Sequence, residues 1–236
     1  MRKDILDEVA KNYNPVSPQQ DFDYWFIRLG AEEVCANLSG DSVLELGCGS
    51  GITTEILARK AKKLVVVEGS DINIERAKER APGAEFISSL WEDYTPTRDF
   101  SDVVLMNGLD HVEDPVWLLQ HISKWPLSRP RLHVIVNNAD SLHRQLGVEL
   151  KIIQFTTSMT ERDALQQHHR VYTMDGLEND LMCGGWGIKR MQGILIKMLP
   201  NDQMRCWDEK LIRALLEVGR FYVDLTAQLY VTARRL

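Results

Sequence analysis

The chain has 236 residues, 44% of them hydrophobic, enough for one α/β core with an appendage. Its formal charge of −6 argues against a nucleic-acid partner, which usually calls for a basic footprint. No apolar run approaches the ~18 residues of a membrane span, residues 1–10 carry no secretory apolar stretch, and the four cysteines include no CxxC pair, so a cytoplasmic chain with reduced thiols and no membrane partner is expected.

Asn14-Pro15-Val16-Ser17-Pro18 is a breaker-rich link between two short segments. After it, Phe22, Trp25, Phe26, Leu29 and Val34 recur at helical spacing, which predicts an amphipathic helix ending near Ser39-Gly40. Strands are predicted at 42–46, 64–67, 85–88, 102–106 and 132–136, the second a β-branched run of the kind buried on both sides. Helical patterns at 52–60, 70–80 and 115–124 separate them, the last opened by Pro115. Strands alternating with helices imply a doubly wound, mostly parallel α/β sheet. Residues 139–172 then break the pattern; they are polar, histidine-rich and long for a plain connection, which marks a lid or acceptor insertion. A helix at 175–182, a strand at 188–197, a helix at 208–218 and a strand at 225–233 complete the chain. One domain is expected: a helical cap (1–40), a cofactor-binding core (41–137), the insertion (138–175) and the rest of the sheet (176–236). Trp186, Met191, Met198, Met204 and Trp207 are candidates for a self-association face, and with it a homodimer, or for core.

The first strand ends in Gly47-Cys48-Gly49-Ser50-Gly51, and the second ends in Glu68. Glycines there permit a tight turn and close approach of a ligand to main chain. A carboxylate one strand over, with two acceptor oxygens and no donor, suits both ribose hydroxyls of an adenosine-bearing cofactor. The glycine spacing alone fits an NAD(P)-dependent oxidoreductase about as well as a methyl-transfer protein. Glu45, two residues before the first glycine, is unusual for the nicotinamide pattern, which stays apolar there.

Taken together, Val43-Leu44-Glu45-Leu46-Gly47-Cys48-Gly49-Ser50-Gly51, Val67-Glu68-Gly69-Ser70, Trp91-Glu92-Asp93 and Leu109-Asp110-His111-Val112-Glu113-Asp114-Pro115 resemble the class I S-adenosylmethionine-dependent methyltransferases, within them the small-molecule branch that includes the ubiquinone-type O-methyltransferases. The likeness is specific over 40–137 and architectural over 138–236. It implies a Rossmann-like seven-stranded sheet with its last strand antiparallel, and S-adenosylmethionine as cofactor. It implies that Glu45, Gly47 and Gly49 border the methionyl part, Glu68 binds the ribose, Ser89, Leu90 and Trp91 contact the adenine, and Asn107 faces the methionine moiety. Arg28 would pair with the cofactor carboxylate; a solvated helix-face arginine is the alternative, as core packing is for Trp91. The family commonly has Glu where this chain has Asp110, which shortens the reach there.

Methyl transfer to a hydroxyl of high pKa needs a base, and histidine suits neutral pH. His111, beside the fourth strand, and His169, in the insertion, are the catalytic candidates among six histidines. His143, Arg144, Arg170 and Tyr172 are the candidates for binding an anionic or hydroxylated acceptor. His168-His169 neighbours cannot share one helix face, so no metal site is expected. The chain lacks a Pro-Pro-aromatic turn after the fourth strand, which points away from bases of nucleic acid and toward a small-molecule substrate: a sugar, a glycan precursor or a secondary metabolite. A cofactor-binding but inactive partner subunit is the remaining alternative.

Overall fold

The computed structural model describes residues 3–236. Two helices, α1 (Lys3–Asn12) and α2 (Asp23–Ala36), precede the sheet. The alternation then runs β1 (Ser42–Leu46), α3 (Ile52–Ala58), β2 (Lys63–Glu68), α4 (Asp71–Arg80), β3 (Glu85–Ser88), β4 (Asp102–Met106), α5 (Pro115–Ser123) and β5 (Arg131–Asn137). The helix starts are those the residue types favour: the Ser70 hydroxyl accepts from Asn73 N (3.2 Å), and Asp114 accepts from Trp117 N (2.9 Å) ahead of Pro115. Three helices follow: α6 (Leu142–Glu149) and α7 (Glu161–Leu165) within the insertion, and α8 (Met174–Cys183) after it. The chain ends with β6 (Trp186–Ile194), α9 (Asn201–Met204), α10 (Glu209–Gly219) and β7 (Gln228–Arg235).

The strands form one seven-stranded sheet, ordered β3-β2-β1-β4-β5-β7-β6. The first five are parallel, and β7 lies antiparallel between β5 and β6. Side chains alternate across it. On one face Leu44, Leu46, Val103, Leu105, Val134 and Val136 pack with Leu118, Leu119 and Ile122 of α5 and Leu177 and Leu181 of α8. On the other, Val43, Val66, Val104 and Ile135 pack with Trp25, Phe26 and Leu29 of α2 and Ile212 and Leu216 of α10. Strand order reverses between β1 and β4, so a crevice opens beyond their carboxyl ends. No described helix is long and apolar enough to cross a membrane.

Three expectations change. The insertion holds two helices of its own. β6 stops at Ile194, because Leu195 takes a left-handed φ of +57° that ends extended pairing. β7 starts at Gln228, since Val223–Leu225 forms a 3-10 turn and the Thr226 hydroxyl donates to Val223 O (2.6 Å). Of the tryptophans and methionines weighed for self-association or core, four pack in or on the core, and Met198 lines the crevice. Trp186 is fully buried with Nε1 donating to Leu119 O (3.0 Å), Met204 is buried, and Met191 and Trp207 pack on the core.

Candidate active site

The turn after β1 follows from its glycines. Gly47, Gly49 and Gly51 take φ values of +83°, +49° and +81°, a region other residues enter only at a cost. A Cβ at Gly47 would stand 2.8 Å from the Trp91 ring, and one at Gly108 2.7 Å from it. Trp91 is therefore wedged between the ends of β1 and β4, with Nε1 donating to Val67 O (3.2 Å). It packs on the core and also lines the crevice. Gly49 has nothing within 4 Å of a Cβ position and faces open space.

Glu68 is 6% exposed. Its two oxygens accept from Cys48 N (3.0 Å) and Ser70 N (2.7 Å), which ties the end of β2 to the glycine turn while the carboxylate stays in the crevice wall. The Ser50 hydroxyl, also in that wall, is buried with no hydrogen-bond partner among the described residues. Glu45 lies behind the turn, buried and outside the cavity wall, with Thr54 beside it but no donor at full hydrogen-bond distance among the described residues. Burial, opposed by the Thr54 hydroxyl and reinforced by the charge of Glu68, pushes its pKa up to about 8. An unpaired hydroxyl at a side-chain-free turn, beside the Glu68 carboxylate, fits an adenosine-bearing ligand. Asn107, at φ +49°, completes this part; its Oδ1 accepts from Gln228 Nε2 (2.7 Å) at the start of β7.

The crevice continues into a cavity of about 660 Å³ that also meets His111, Asn137 and His168 and an apolar wall from Leu146, Ile152, Ile153, Met198 and Leu199. Asp110 is fully buried. Its Oδ2 accepts from Asn137 Nδ2 (3.3 Å) and lies 3.6 Å from His168 Nε2. The His111 and His168 rings meet edge to face at 4.5 Å. Burial lowers the pKa of His111. Burial would also lower that of His168, but its hydrogen bond to Asp163 and the charges of Asp110 and Asp163 outweigh it and raise the pKa.

The other expected site residues divide. Gly47, Gly49, Glu68, Trp91, Asn107, His111, His143 and Arg144 line the cavity. Arg144 also donates to the carbonyls of Thr156 and Ser158, knitting the insertion together. His143 is neutral, because burial, then Lys197 and Arg144, push its pKa down to about 3. Arg28 is not brought to the cavity: its guanidinium donates to Tyr24 Oη (2.8 Å) and Glu32 Oε1 (3.0 Å) on its own helix face. Ser89 and Leu90 are also outside the wall; Ser89 N donates to Glu68 O (3.1 Å).

The end of the insertion corrects three assignments. After Gln167, at φ +59°, the chain presents His168 to the cavity, and His169 donates its N–H to Asp110 O (2.8 Å). Arg170 donates to the carbonyls of Leu109, Val112 and Glu113, so it clamps the β4 loop and does not line the cavity. Tyr172 is buried in the core, with its hydroxyl donating to Asp180 (3.1 Å). Asp110, His168, Asp163 and Lys197 were missed as site groups, since residues so far apart in sequence carry no shared spacing. The departure of Asp110 from the family pattern was the only signal.

A family model described as a methyltransferase domain matches residues 20–182. The mitochondrial ubiquinone biosynthesis O-methyltransferase of Schizosaccharomyces pombe is 34% identical over 176 residues, covering 70% of this chain; the chain spans 61% of the length of that relative. Among solved structures, an S-adenosylmethionine-dependent methyltransferase from Mesorhizobium loti superposes with a TM-score of 0.61 at 16% identity, over 87% of this chain and 98% of that one. Magnesium protoporphyrin IX methyltransferase from Synechocystis, with bound S-adenosylhomocysteine, does so at 0.60 and 16%, over 89% and 85%. At such identity these two share the fold.

Proposed function

Because the chain belongs to the class I S-adenosylmethionine-dependent methyltransferases, we propose that it methylates a hydroxyl oxygen of a small acceptor with a largely apolar body. The observation that carries this reading is one cavity that joins the glycine turn and Glu68 to the imidazole pair and the apolar wall of the insertion. The apolar wall favours a phenolic secondary metabolite over a sugar or glycan precursor. The name of the Schizosaccharomyces pombe relative supports oxygen as the methyl acceptor.

When bound, S-adenosylmethionine supplies a methyl carbon whose bond to cationic sulfur breaks as the acceptor oxygen bonds to it, the electron pair remaining on sulfur as a thioether. Glu68 holds the ribose, Asn107 and the glycine turn border the methionyl part, and Trp91 walls off water. His111, which burial keeps neutral, takes the hydroxyl proton. The insertion orients the acceptor, which is most of what an in-line displacement asks of a protein.

Glu68→Ala tests the cofactor half. Losing two hydrogen bonds to a charged group, roughly 3 kcal/mol, weakens S-adenosylhomocysteine about 100-fold in calorimetry. Labelled methyl transfer to a panel of phenols and catechols tests the acceptor half. Wild-type protein that ignores S-adenosylhomocysteine, or that methylates only amines, would overturn the proposal.

A further inference from the structure

Two strands beyond Asn107, the start of β7 carries a polar group that methyl transfer itself does not use. Gln228 pairs with Asn137 across the sheet, lines the cavity and is 3% exposed. Its Oε1 is buried with no hydrogen-bond partner among the described residues. A buried acceptor without a donor is costly, and this amide cannot relieve the cost by turning over. A carboxylate oxygen only accepts, so Asn137 turns Nδ2 to Asp110 Oδ2 (3.3 Å) and points Oδ1 the other way. Gln228 Nε2 donates to that Oδ1 (3.4 Å) and to Asn107 Oδ1 (2.7 Å). One carboxylate thus polarises a series of amides, and Oε1 is the end left open. The backbone underneath is held as well: Asn138 N donates to Ala227 O (2.9 Å), and Asn138 Nδ2 to Thr226 O (2.8 Å).

We propose that Gln228 selects the methyl acceptor. Its Oε1 takes a hydrogen bond from a second donor, a hydroxyl or an amine N–H, that the acceptor carries near the reacting oxygen. The amide turns slightly about its soft terminal torsion to meet it. This deepens the O-methyl-transfer reading and rests on it. Position assigns the donor to the acceptor and not to the cofactor. In the sheet, β7 stands three strands from β1 and four from β2, about 14 and 19 Å from the glycine turn and Glu68. Gln228 is tied to Asn107, and through Asn137 and Asp110 to the loop of His111. The donor it meets therefore lies close to the hydroxyl that His111 deprotonates. A group that only accepts, such as an ether or a carbonyl, would face Oε1 with lone pair against lone pair. The site admits a hydroxyl there and turns away the same ring bearing fluorine or methoxy.

The test compares catechol and resorcinol with the fluorophenols in which fluorine replaces the second hydroxyl. In methyl-transfer assays wild type should favour the dihydroxy compounds at least about 30-fold in kcat/KM, because fluorine leaves the buried oxygen unpaired. Gln228→Leu should lower that ratio to the statistical value of about 2, and Gln228→Glu, which keeps an oxygen there, should retain it. A wild type indifferent to the second hydroxyl, or a folded Gln228→Leu that keeps the preference, would overturn the role of Gln228 and leave O-methyl transfer standing. A loss of S-adenosylhomocysteine affinity of about 100-fold in Gln228→Leu would put the donor on the cofactor and overturn it too. If neither kind of phenol is methylated, the O-methyl reading fails, and calorimetry on the S-adenosylhomocysteine complex judges Gln228 alone. Catechol or resorcinol bound at least about tenfold tighter than its fluorophenol in wild type, and no tighter in Gln228→Leu, upholds the role. Equal binding, or none, in wild type overturns it.

Discussion

Glu45 is the residue whose protonation the fold changes most legibly. Its carboxyl sits buried behind the glycine turn, where the Thr54 hydroxyl only partly offsets burial, with a pKa near 8 against an unfolded value of about 4.3. Between those two values the unfolded chain ionises Glu45 and the folded chain does not. Stability from this group is whole below the unfolded pKa and is lost as pH rises toward 8, by about 1.4 kcal/mol per pH unit. Glu45→Gln, which cannot ionise, should therefore melt like wild type near pH 4 and higher than wild type at pH 8, in ligand-free scans. A constant difference across that range would show that Glu45 is ionised in the fold. The sequence showed an acid out of place in an apolar strand; it did not show that no charged partner would meet it there. The same limit applied to His168. Glu68 and Gly47 stand within one local motif, whereas Asp110 and His168 become neighbours only when the insertion folds back.

Among the elements, the junction of α2, β1, β4 and β5 depends on one buried side chain. Asp102 accepts from Ser39 N (2.9 Å), Gly40 N (3.0 Å) and Ser101 Oγ (2.8 Å), and lies 2.9 Å from His133 Nε2. His133 Nδ1 reaches Tyr230 Oη (2.8 Å) on β7. Burial alone would raise the Asp102 pKa, but the bonds from His133 and Ser39 outweigh it and lower it. Its stabilisation is therefore present above the unfolded carboxylate pKa and fades as pH falls through the lowered folded one. Asp102→Ala strands two backbone N–H groups and should cost roughly 3 kcal/mol in urea unfolding at pH 7. A loss under about 1 kcal/mol would mean that water replaces the carboxylate there. β1, β2, β4 and β5 were legible because apolar runs end in glycine, acid or asparagine. The ends of β6 and β7 were not. A left-handed Leu195 and the Thr226 side-chain bond set them, and neither leaves a mark in periodicity.

At the scale of the molecule, the cavity is closed by three segments remote in sequence. Arg162 of the insertion reaches Asp21 (2.6 Å) and Asp23 (2.7 Å) at the start of α2. Asn201, after β6, donates to the same two carboxylates (2.9 and 2.7 Å), and Tyr13, after α1, donates to Asp23 (2.8 Å). Lys197 joins this group, with burial pushing its pKa down to about 8. The histidines and length of the insertion pointed to a cover, but what fastens it is a carboxylate pair in the N-terminal cap, which no local pattern pairs with Arg162. Arg162 is itself nearly half exposed, so screening limits its two pairs to roughly 1 kcal/mol together. Arg162→Ala should then raise the apparent acceptor KM about fivefold, since about 1 kcal/mol is that ratio. It should leave S-adenosylhomocysteine affinity in place, because the glycine turn and Glu68 are untouched. Limited proteolysis should cut the variant faster within residues 150–165, and saturating acceptor should slow the cutting. If neither KM nor cleavage moves, α6 and α7 are held shut by Arg144 and the Asp110 clamp alone, and the contact with α2 contributes nothing to closure.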